Sequence, residues 1–283
     1  MIVPSARRHP IRTPARIWEE HATIDPPLVP GRSLSLDLLS SGGRLYLGHG
    51  DWGANLGPTN VISIGPGGDV QVDLPGVPTE ALNVFREIDG WAYAPYTDPQ
   101  GVDRGGFATN AGGDWHATEF ASPPMVHCFD MGGTSHGLWM TGSAHRVGST
   151  TTPVVLLSTD GGETWGEVLA GERGGGARYY GLWVEGDSVF VQQEGEAVQT
   201  SSDGGHTWST VSRPDLYFAL SSQGYSRPDY ARSPAPTPRE EELKAMPRAS
   251  PDAGALATLG GYAYSAAQSG ASVVIYRTPF EVE

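Results

Sequence analysis

The sequence is poor in cysteine, in long apolar segments and in positive charge, and each shortage excludes a class of protein. Cys128 is the only cysteine in 283 residues, so no internal disulfide can hold the fold together. No apolar segment approaches the roughly 18 residues of a membrane-spanning helix, and the first residues lack the apolar core of a Sec secretion signal. The net charge of −14 argues against binding nucleic-acid phosphates. We therefore expect a soluble protein without nucleic-acid partner, membrane insertion or Sec signal.

Glycine, proline and short apolar segments are abundant instead. The 39 glycines and 23 prolines indicate many tight turns, and the apolar segments between them have the length of β-strands. Cys128 lies within one of these segments, which favours a buried and inert thiol. The composition therefore predicts an all-β fold.

One eight-residue motif occurs twice. Residues 158–165 read Ser-Thr-Asp-Gly-Gly-Glu-Thr-Trp and residues 201–208 read Ser-Ser-Asp-Gly-Gly-His-Thr-Trp, which places the two aspartates 43 residues apart. In a hairpin turn, such an aspartate accepts hydrogen bonds from backbone N–H groups of its own turn, and the glycines supply positive φ angles. The tryptophan then begins the next strand as an apolar anchor. The positions expected to build the two turns are Ser158, Asp160, Gly162, Thr164, Trp165, Ser201, Asp203, Gly205, Thr207 and Trp208.

The motif resembles the Asp-box, or bacterial neuraminidase repeat, of β-propeller proteins such as sialidases. In that family the box is a structural turn on the blade periphery, away from the active site. Weaker copies at 63–70 and 108–115 extend the repeat. A mid-strand column contains Tyr46, Tyr93, Met140, Phe190 and Tyr264, whose separations are 47, 47, 50 and 74 residues. An inserted loop of about 30 residues would explain the long last separation. The period of about 45 residues is that of a four-stranded blade, so we predict a five-bladed β-propeller of four-stranded antiparallel blades.

Three segments depart from this repeat. Residues 1–15 form a basic arm, and residues 16–283 form a single propeller domain in which 16–24 complete the last blade and cover its edge. A proline-rich insertion, 221–252, interrupts blade five. A capping-box spacing within it predicts a short helix over 238–246. The insertion is either a contact element for a ligand or another subunit, or plain decoration.

The mouth of the central channel is where a propeller normally binds its ligand. The resemblance to sialidases implies an arginine trio that clamps a carboxylate, and a tyrosine nucleophile with a partner carboxylate. The arginines available for such a clamp are Arg104, Arg146 and Arg178. If the protein is an enzyme, its candidate catalytic residues are Tyr179 or Tyr180 with Glu194.

Further ligand candidates lie in a glycine-rich loop. Asp51 and Trp52 belong to it, and Trp52 either stacks on a sugar ring or plugs the loop from beneath. The sialidase pattern is incomplete, because the N-terminal arginine motif is only faintly echoed and sialidases have six blades. No cluster of histidine, cysteine and aspartate has recognisable metal-ligand spacing. We expect neither a metal nor another cofactor.

Three functions fit these features. The favoured one is a non-catalytic binding or structural module, a phage tail or virion surface component that contacts glycans or neighbouring proteins of a larger assembly. A sialidase-like glycoside hydrolase is the first alternative. The second is an intracellular assembly factor that resembles the box-containing propellers of photosystem biogenesis. The expected location is the virion, and the cytoplasm otherwise.

Overall fold

The structure is a computed structural model, and it describes most of the chain. The described residues are 17–29, 37–51, 53–100, 104–145, 151–171, 178–193, 196–211, 220–221, 224–225 and 253–280. They contain strands and turns and no helix, so this part of the chain is all-β as predicted, and it offers no helix that could cross a membrane. The basic arm 1–15, the helix predicted over 238–246 and most of the 221–252 insertion lie outside these residues.

Five four-stranded antiparallel sheets, named sheets I to V, contain most of the described strands. Strand β1 covers Glu19–Ile24. Sheet I contains β2 (Leu38–Ser41), β3 (Arg44–Leu47), β5 (Thr59–Ile64) and β6 (Val70–Val77), while β4 (His49–Gly50) pairs with β7 (Ala81–Leu82). Sheet II contains β8 (Arg86–Ile88), β9 (Trp91–Pro95), β10 (Gly105–Thr109) and β11 (His116–Phe120).

The remaining sheets repeat this pattern. Sheet III contains β12 (Met125–Thr134), β13 (Gly137–His145), β14 (Thr151–Ser158) and β15 (Gly166–Ala170). Sheet IV contains β16 (Tyr179–Glu185), β17 (Ser188–Gln193), β18 (Val198–Ser201) and β19 (Ser209–Val211). A two-stranded pair of β20 (Leu220–Ser221) and β21 (Gly224–Tyr225) follows. Sheet V contains β22 (Ala253–Leu259), β23 (Tyr262–Ser269), β24 (Ser272–Pro279) and, from the other end of the chain, β1.

Strand β1 joins sheet V beside β24, in antiparallel register with Thr23 opposite Val274. Its apolar residues Ala22 and Ile24 are buried, and Glu19 accepts a hydrogen bond from Arg277 at 2.6 Å. The pairing falls within the segment 16–24 that the sequence predicted to complete the last blade. It also supplies β24 with a second neighbour.

Two-residue turns connect the first and second strands of every sheet. In sheet II, Asp89 and Gly90 have φ angles of 51° and 81°, and in sheet V, Gly260 and Gly261 have 57° and 81°. Two successive positive φ angles define the turn that matches the right-handed twist of a hairpin. Every sheet begins with a hairpin, and its first strand has a hydrogen-bonded neighbour on one side only.

Apolar clusters join the sheets face to face in the order V, I, II, III, IV. Ile62 of sheet I packs with Tyr264 of sheet V, and Tyr46 packs with Phe85 of sheet II. The clusters between sheets II and III and between III and IV contain Phe107, Met140, Trp165, Trp139, Tyr179 and Leu182. The predicted mid-strand column is buried at all five positions. Successive four-stranded sheets packed in this way are typical of a β-propeller.

The two repeated turns have the hydrogen bonds that their sequence predicts. Asp160 accepts from the Thr164 backbone N–H at 2.9 Å and from its hydroxyl at 2.5 Å, and Asp203 accepts from Thr207 at 2.9 and 2.6 Å. The bonds from Thr164 lower the pKa of Asp160 to about 2, and those from Thr207 also lower the pKa of Asp203. Ser158 adds a role that the sequence did not suggest, since its hydroxyl accepts from the Gly162 N–H at 2.8 Å.

The tryptophans of these turns connect neighbouring sheets. Trp165 donates to the carbonyl of Gly162 at 3.1 Å, and its ring lies 5.4 Å from Phe120 of sheet II. Trp208 contacts Trp139 of sheet III edge to face at 6.3 Å. Each turn therefore carries an aromatic anchor for the interface with the preceding sheet.

Candidate functional site

The residues predicted to line the channel mouth are only partly within the described chain. Trp52, Arg146 and Glu194 lie outside it, so the arginine trio and the Tyr–Glu pair stay predictions. The structure places Asp51, Arg104, Arg178, Tyr179 and Tyr180.

Tyr179 belongs to the core between sheets III and IV. Its side chain is 1% exposed, and its hydroxyl donates to Oε1 of Gln199 at 2.6 Å. Burial, together with the charge of Glu196, raises the pKa of Tyr179 to about 12. A phenol in this position is a structural hydrogen-bond donor, because it is neither ionised nor accessible.

Tyr180 lies at a β-bulge of β16 and joins a row of aromatic and cationic side chains. Its ring lies 4.6 Å from that of Phe129, which in turn stacks on His127 at 5.2 Å. The guanidinium of Arg178 lies 5.7 Å from the Phe129 ring and donates to the Tyr180 hydroxyl at 3.3 Å. We call His127, Phe129, Arg178 and Tyr180 the aromatic row.

Arg104 and Asp51 are not part of this row. Arg104 is exposed and lies 3.6 Å from the carboxylate of Glu119 in the same sheet. Asp51 is buried, and its carboxylate accepts from the Ala54 N–H at 3.0 Å, which closes its own loop. Within the described residues the structure therefore does not bring Arg104 or Asp51 into contact with Arg178.

A carboxylate pair that the sequence did not reveal lies beside the aromatic row. The Glu80 N–H donates to the carbonyl of Asp98 at 2.9 Å, and Oδ1 of Asp98 lies 3.4 Å from Nδ1 of His127. Oε2 of Glu80 is buried and has no hydrogen-bond partner within the described chain. Burial and then the charge of Asp98 raise the pKa of Glu80 to about 7. A carboxyl group whose pKa is raised by burial and by a neighbouring carboxylate is a common feature of functional sites.

Metal binding finds no support in the part of the chain that is described. No group of three or more histidine, cysteine, aspartate or glutamate side chains there could hold a metal ion. His49 is fully buried and lies 2.8 Å from the carbonyl of Asn60, and burial lowers its pKa to about 4. Cys128 is buried as expected, and burial raises the pKa of its thiol to about 12.

A buried ion pair joins the first strands of three sheets. Asp130 on β12 lies 2.8 Å from Nε and 2.9 Å from Nη2 of Arg86 on β8. It also accepts from the backbone N–H of Leu182 on β16 at 3.2 Å. Asp37 accepts in the same way from the Phe85 N–H at 3.0 Å. These carboxylates therefore satisfy backbone donors on the open edges of first strands.

Below this ion pair, towards the two-residue turns, lies a pocket of about 230 Å³. Its walls are consecutive residues of three first strands, namely Arg86–Asp89, Met131–Gly133 and Leu182–Val184. The aromatic row lies on the other side of the ion pair, because Phe129 precedes Asp130 on β12 and the pocket residues Met131–Gly133 follow it. A ligand could therefore bind on either side of the ion pair.

Comparison with known proteins yields distant structural similarities only. No protein-family model and no curated protein matches the chain. A Trypanosoma rangeli sialidase is similar at 12% identity and a TM-score of 0.46, over 87% of this chain and 54% of that one. A Dyadobacter fermentans protein of unknown function gives 11% and 0.43, over 92% and 99% of the two chains.

An α-L-arabinofuranosidase from Clostridium thermocellum gives 13% identity and a TM-score of 0.36, over 58% of this chain. The matched part spans 61% of that enzyme and 43% of the Bacteroides ovatus protein xyloglucan PUL GH43B. These TM-scores are all below 0.5, so the comparisons identify no family, and the function must be argued from the site itself.

Proposed function

We propose that the protein is a five-bladed β-propeller, closed by β1, that acts as a non-catalytic binding module. Five sheets with one strand order, their packing from V through I to IV, and the pairing of β1 with β24 support the ring. In such a ring the first strand, β1, and the last strand, β24, are hydrogen-bonded neighbours in one sheet.

The observation that carries the non-catalytic role is the position of Tyr179. A tyrosine nucleophile needs an accessible hydroxyl and a group that activates it. The Tyr179 hydroxyl is instead bonded to Gln199 within the core, and its pKa is raised to about 12. Tyr180, the other candidate, has its ring packed on Phe129 and is also buried.

The aromatic row is the binding surface in this proposal. The buried rings of Phe129 and Tyr180 hold Arg178 and His127 in place. The guanidinium and imidazole groups can then bind hydroxyl or carboxylate groups of a sugar. Arg178 and His127 are partly exposed at the edge of the row, where such a ligand would reach them. Glycans, and protein neighbours in a larger assembly, are the proposed partners. The virion setting stays a prediction from the sequence.

A glycoside hydrolase is the second candidate, and Glu80 with Asp98 favours it. Glycosidases use one protonated and one ionised carboxyl group on either side of the scissile bond. A pKa near 7 keeps a large fraction of Glu80 protonated at neutral pH, and Asp98 is close enough to contribute to that shift. His127 links this pair to the aromatic row.

A panel of sialylated and bacterial glycans tests both candidates. The wild type, Tyr179→Phe, Glu80→Gln, Arg178→Gln and the control Arg44→Gln, which lies in neither proposed site and pairs with Asp69, are incubated with the panel. Free and retained glycans are analysed by mass spectrometry. We expect intact glycans, retained by the wild type and Arg44→Gln but not by Arg178→Gln.

The other outcomes are equally informative. Shortened glycans whose cleavage is lost in Glu80→Gln would replace the binding module with a hydrolase. Cleavage lost in Tyr179→Phe would refute the structural role of that hydroxyl. Glycans neither cut nor retained would refute glycan binding.

A further inference from the structure

The pocket between sheets II, III and IV has walls made of open strand edges. Strands β8, β12 and β16 each begin a sheet and have one hydrogen-bonded neighbour, so the other edge of each strand is unpaired. These three edges surround the space of about 230 Å³. Unpaired backbone groups in a concave site require hydrogen-bond partners from water or a ligand.

The two-residue turns determine which backbone groups point into the pocket. Ile88 pairs with Trp91, and Glu185 pairs with Ser188, on either side of such turns. Hydrogen-bonded and outward-pointing residues alternate along an antiparallel strand. Glu87, Gly133 and Val184, each next to the last residue of its strand, therefore direct their N–H and C=O groups towards the pocket.

Hydrogen bonds of Phe85 and Leu182, which lie two residues before Glu87 and Val184, agree with this direction of the backbone groups. The Phe85 N–H donates to Asp37, and the Leu182 N–H donates to Asp130, so both point away from their own sheets. Glu87 and Val184 lie two residues further along the same strands. Among the described residues, no carboxylate or other group contacts their outward backbone groups.

The pocket is lined by more negatively charged than positively charged side chains. Arg86 is paired with Asp130. Glu87 and Asp89 also line the pocket, are exposed, and have no cationic partner within the described part of the chain. The local excess of two negative charges agrees in sign with the net charge of −14. An anionic ligand is therefore disfavoured and a cation is favoured.

We propose that this pocket binds an organic ammonium group. The outward carbonyls of Glu87, Gly133 and Val184 accept its three N–H donors, and the carboxylates of Glu87 and Asp89 supply the counter-charge. Ile88 and Leu182, which also line the pocket, contact the hydrocarbon part of the ligand. The site goes beyond the proposed glycan surface, because no residue of the aromatic row lines the pocket.

Titration of the full ¹⁵N-labelled chain with n-butylammonium tests the proposal. The amide signals of Gly133 and Val184 are the local reporters, and sodium butyrate, which has the same carbon skeleton and the opposite charge, is the control ligand. We expect butylammonium to shift both signals with a Kd of about a millimolar to tens of millimolar, and butyrate to shift neither. Unmoved signals at saturating amine, or equal shifts with butyrate, would overturn the proposal.

Two double variants separate a local effect from one of net charge. Glu87→Gln/Asp89→Asn removes the two pocket charges, and asparagine tolerates the positive φ of position 89. Asp114→Asn/Glu163→Gln removes two exposed charges elsewhere. We expect affinity to fall about two- to fivefold per charge in the first variant and to stay unchanged in the second. Equal weakening in both would refute a specific site.

The source of the ammonium group is settled by a second titration. A lysine peptide that shifts the same signals with at least about tenfold higher affinity than butylammonium would identify a partner's side chain as the ligand. Equal affinities would identify a free amine. A peptide that shifts only other signals would show that the pocket takes small amines alone.

Discussion

The buried ion pair of Arg86 and Asp130 provides the sharpest test of how the sheets are joined. Asp130→Asn keeps the size of the side chain and removes its charge. Asp130 is 1% exposed and Arg86 is 9% exposed, so water cannot replace the lost carboxylate. The guanidinium would then remain in the interior without the acid that it contacts.

The size of the effect follows from the contacts. Asp130 accepts two hydrogen bonds from Arg86, at 2.8 and 2.9 Å, one from Met131 and one from Leu182. Removing one member of a buried pair costs about 3–5 kcal/mol. Each kcal/mol lowers Tm by about 2–4 °C in a large domain. We therefore expect Asp130→Asn to lower Tm by about 6–20 °C.

Urea unfolding, followed by tryptophan fluorescence, gives the free energies of unfolding. The series contains wild type, Asp130→Asn, Arg86→Met and the double variant, with exposed Asp114→Asn as control. We expect the double variant to be more stable than Asp130→Asn alone, because it no longer buries an uncompensated charge. A loss below about 1 kcal/mol for Asp130→Asn, or strict additivity of the two single variants, would refute the role assigned to the pair.

Three further predictions concern a turn, a carboxyl group and a glycine. Asp160→Asn lowers the urea midpoint at neutral pH. Because the native pKa of Asp160 is lowered to about 2, the difference in midpoint from wild type disappears as pH falls from about 4 to about 2. A difference that persists at pH 2 contradicts this. Because the pKa of Glu80 is raised, the wild type loses stability as pH rises from about 4.5 to about 7. Glu80→Gln therefore has the higher urea midpoint at pH 8. Equal midpoints at that pH contradict the raised pKa. Gly132→Ala places a Cβ 2.4 Å from Cδ2 of Leu182 and lowers the free energy of unfolding by about 1–3 kcal/mol. In Gly166→Ala the added Cβ lies 3.8 Å from the nearest carbonyl oxygen and leaves the free energy of unfolding unchanged. Equal effects in the two variants rule out the steric argument.

The repeated turns show how much local sequence can predict. Every donor to Asp160 lies within four residues of it, at Ser158 or Thr164. Hydrogen bonds between residues so close in sequence depend on the local conformation of the turn and not on the rest of the fold. The weaker copy at 108–115 behaves differently, since Asn110 accepts from the Ala92 N–H of the neighbouring strand. The side chain at the position of the box aspartate therefore bonds across the sheet, while the Gly113 N–H closes the turn on the Asn110 carbonyl at 3.0 Å.

The candidate site was less accessible to prediction. Arg178 was predicted as a ligand residue and Tyr180 as a catalytic candidate, but nothing local to them indicates Phe129, which packs against both. Glu80 lies 18 residues before Asp98 and Arg86 lies 44 before Asp130, so neither partner could be chosen from spacing. Both contacts exist because loops or first strands of different sheets meet.

By itself, the sequence determined the turns, the strands and their alternation, because these depend on interactions between near neighbours and on a period of two. Only the tertiary structure decided that Tyr179 entered the core and that Tyr180 joined the aromatic row, because the two residues lie at a β-bulge that alternation does not predict. It also placed Arg86 against Asp130 and left a pocket beneath them. Those outcomes depend on how whole sheets pack, where the free energy comes from burial shared among many residues rather than from any one stretch of the chain.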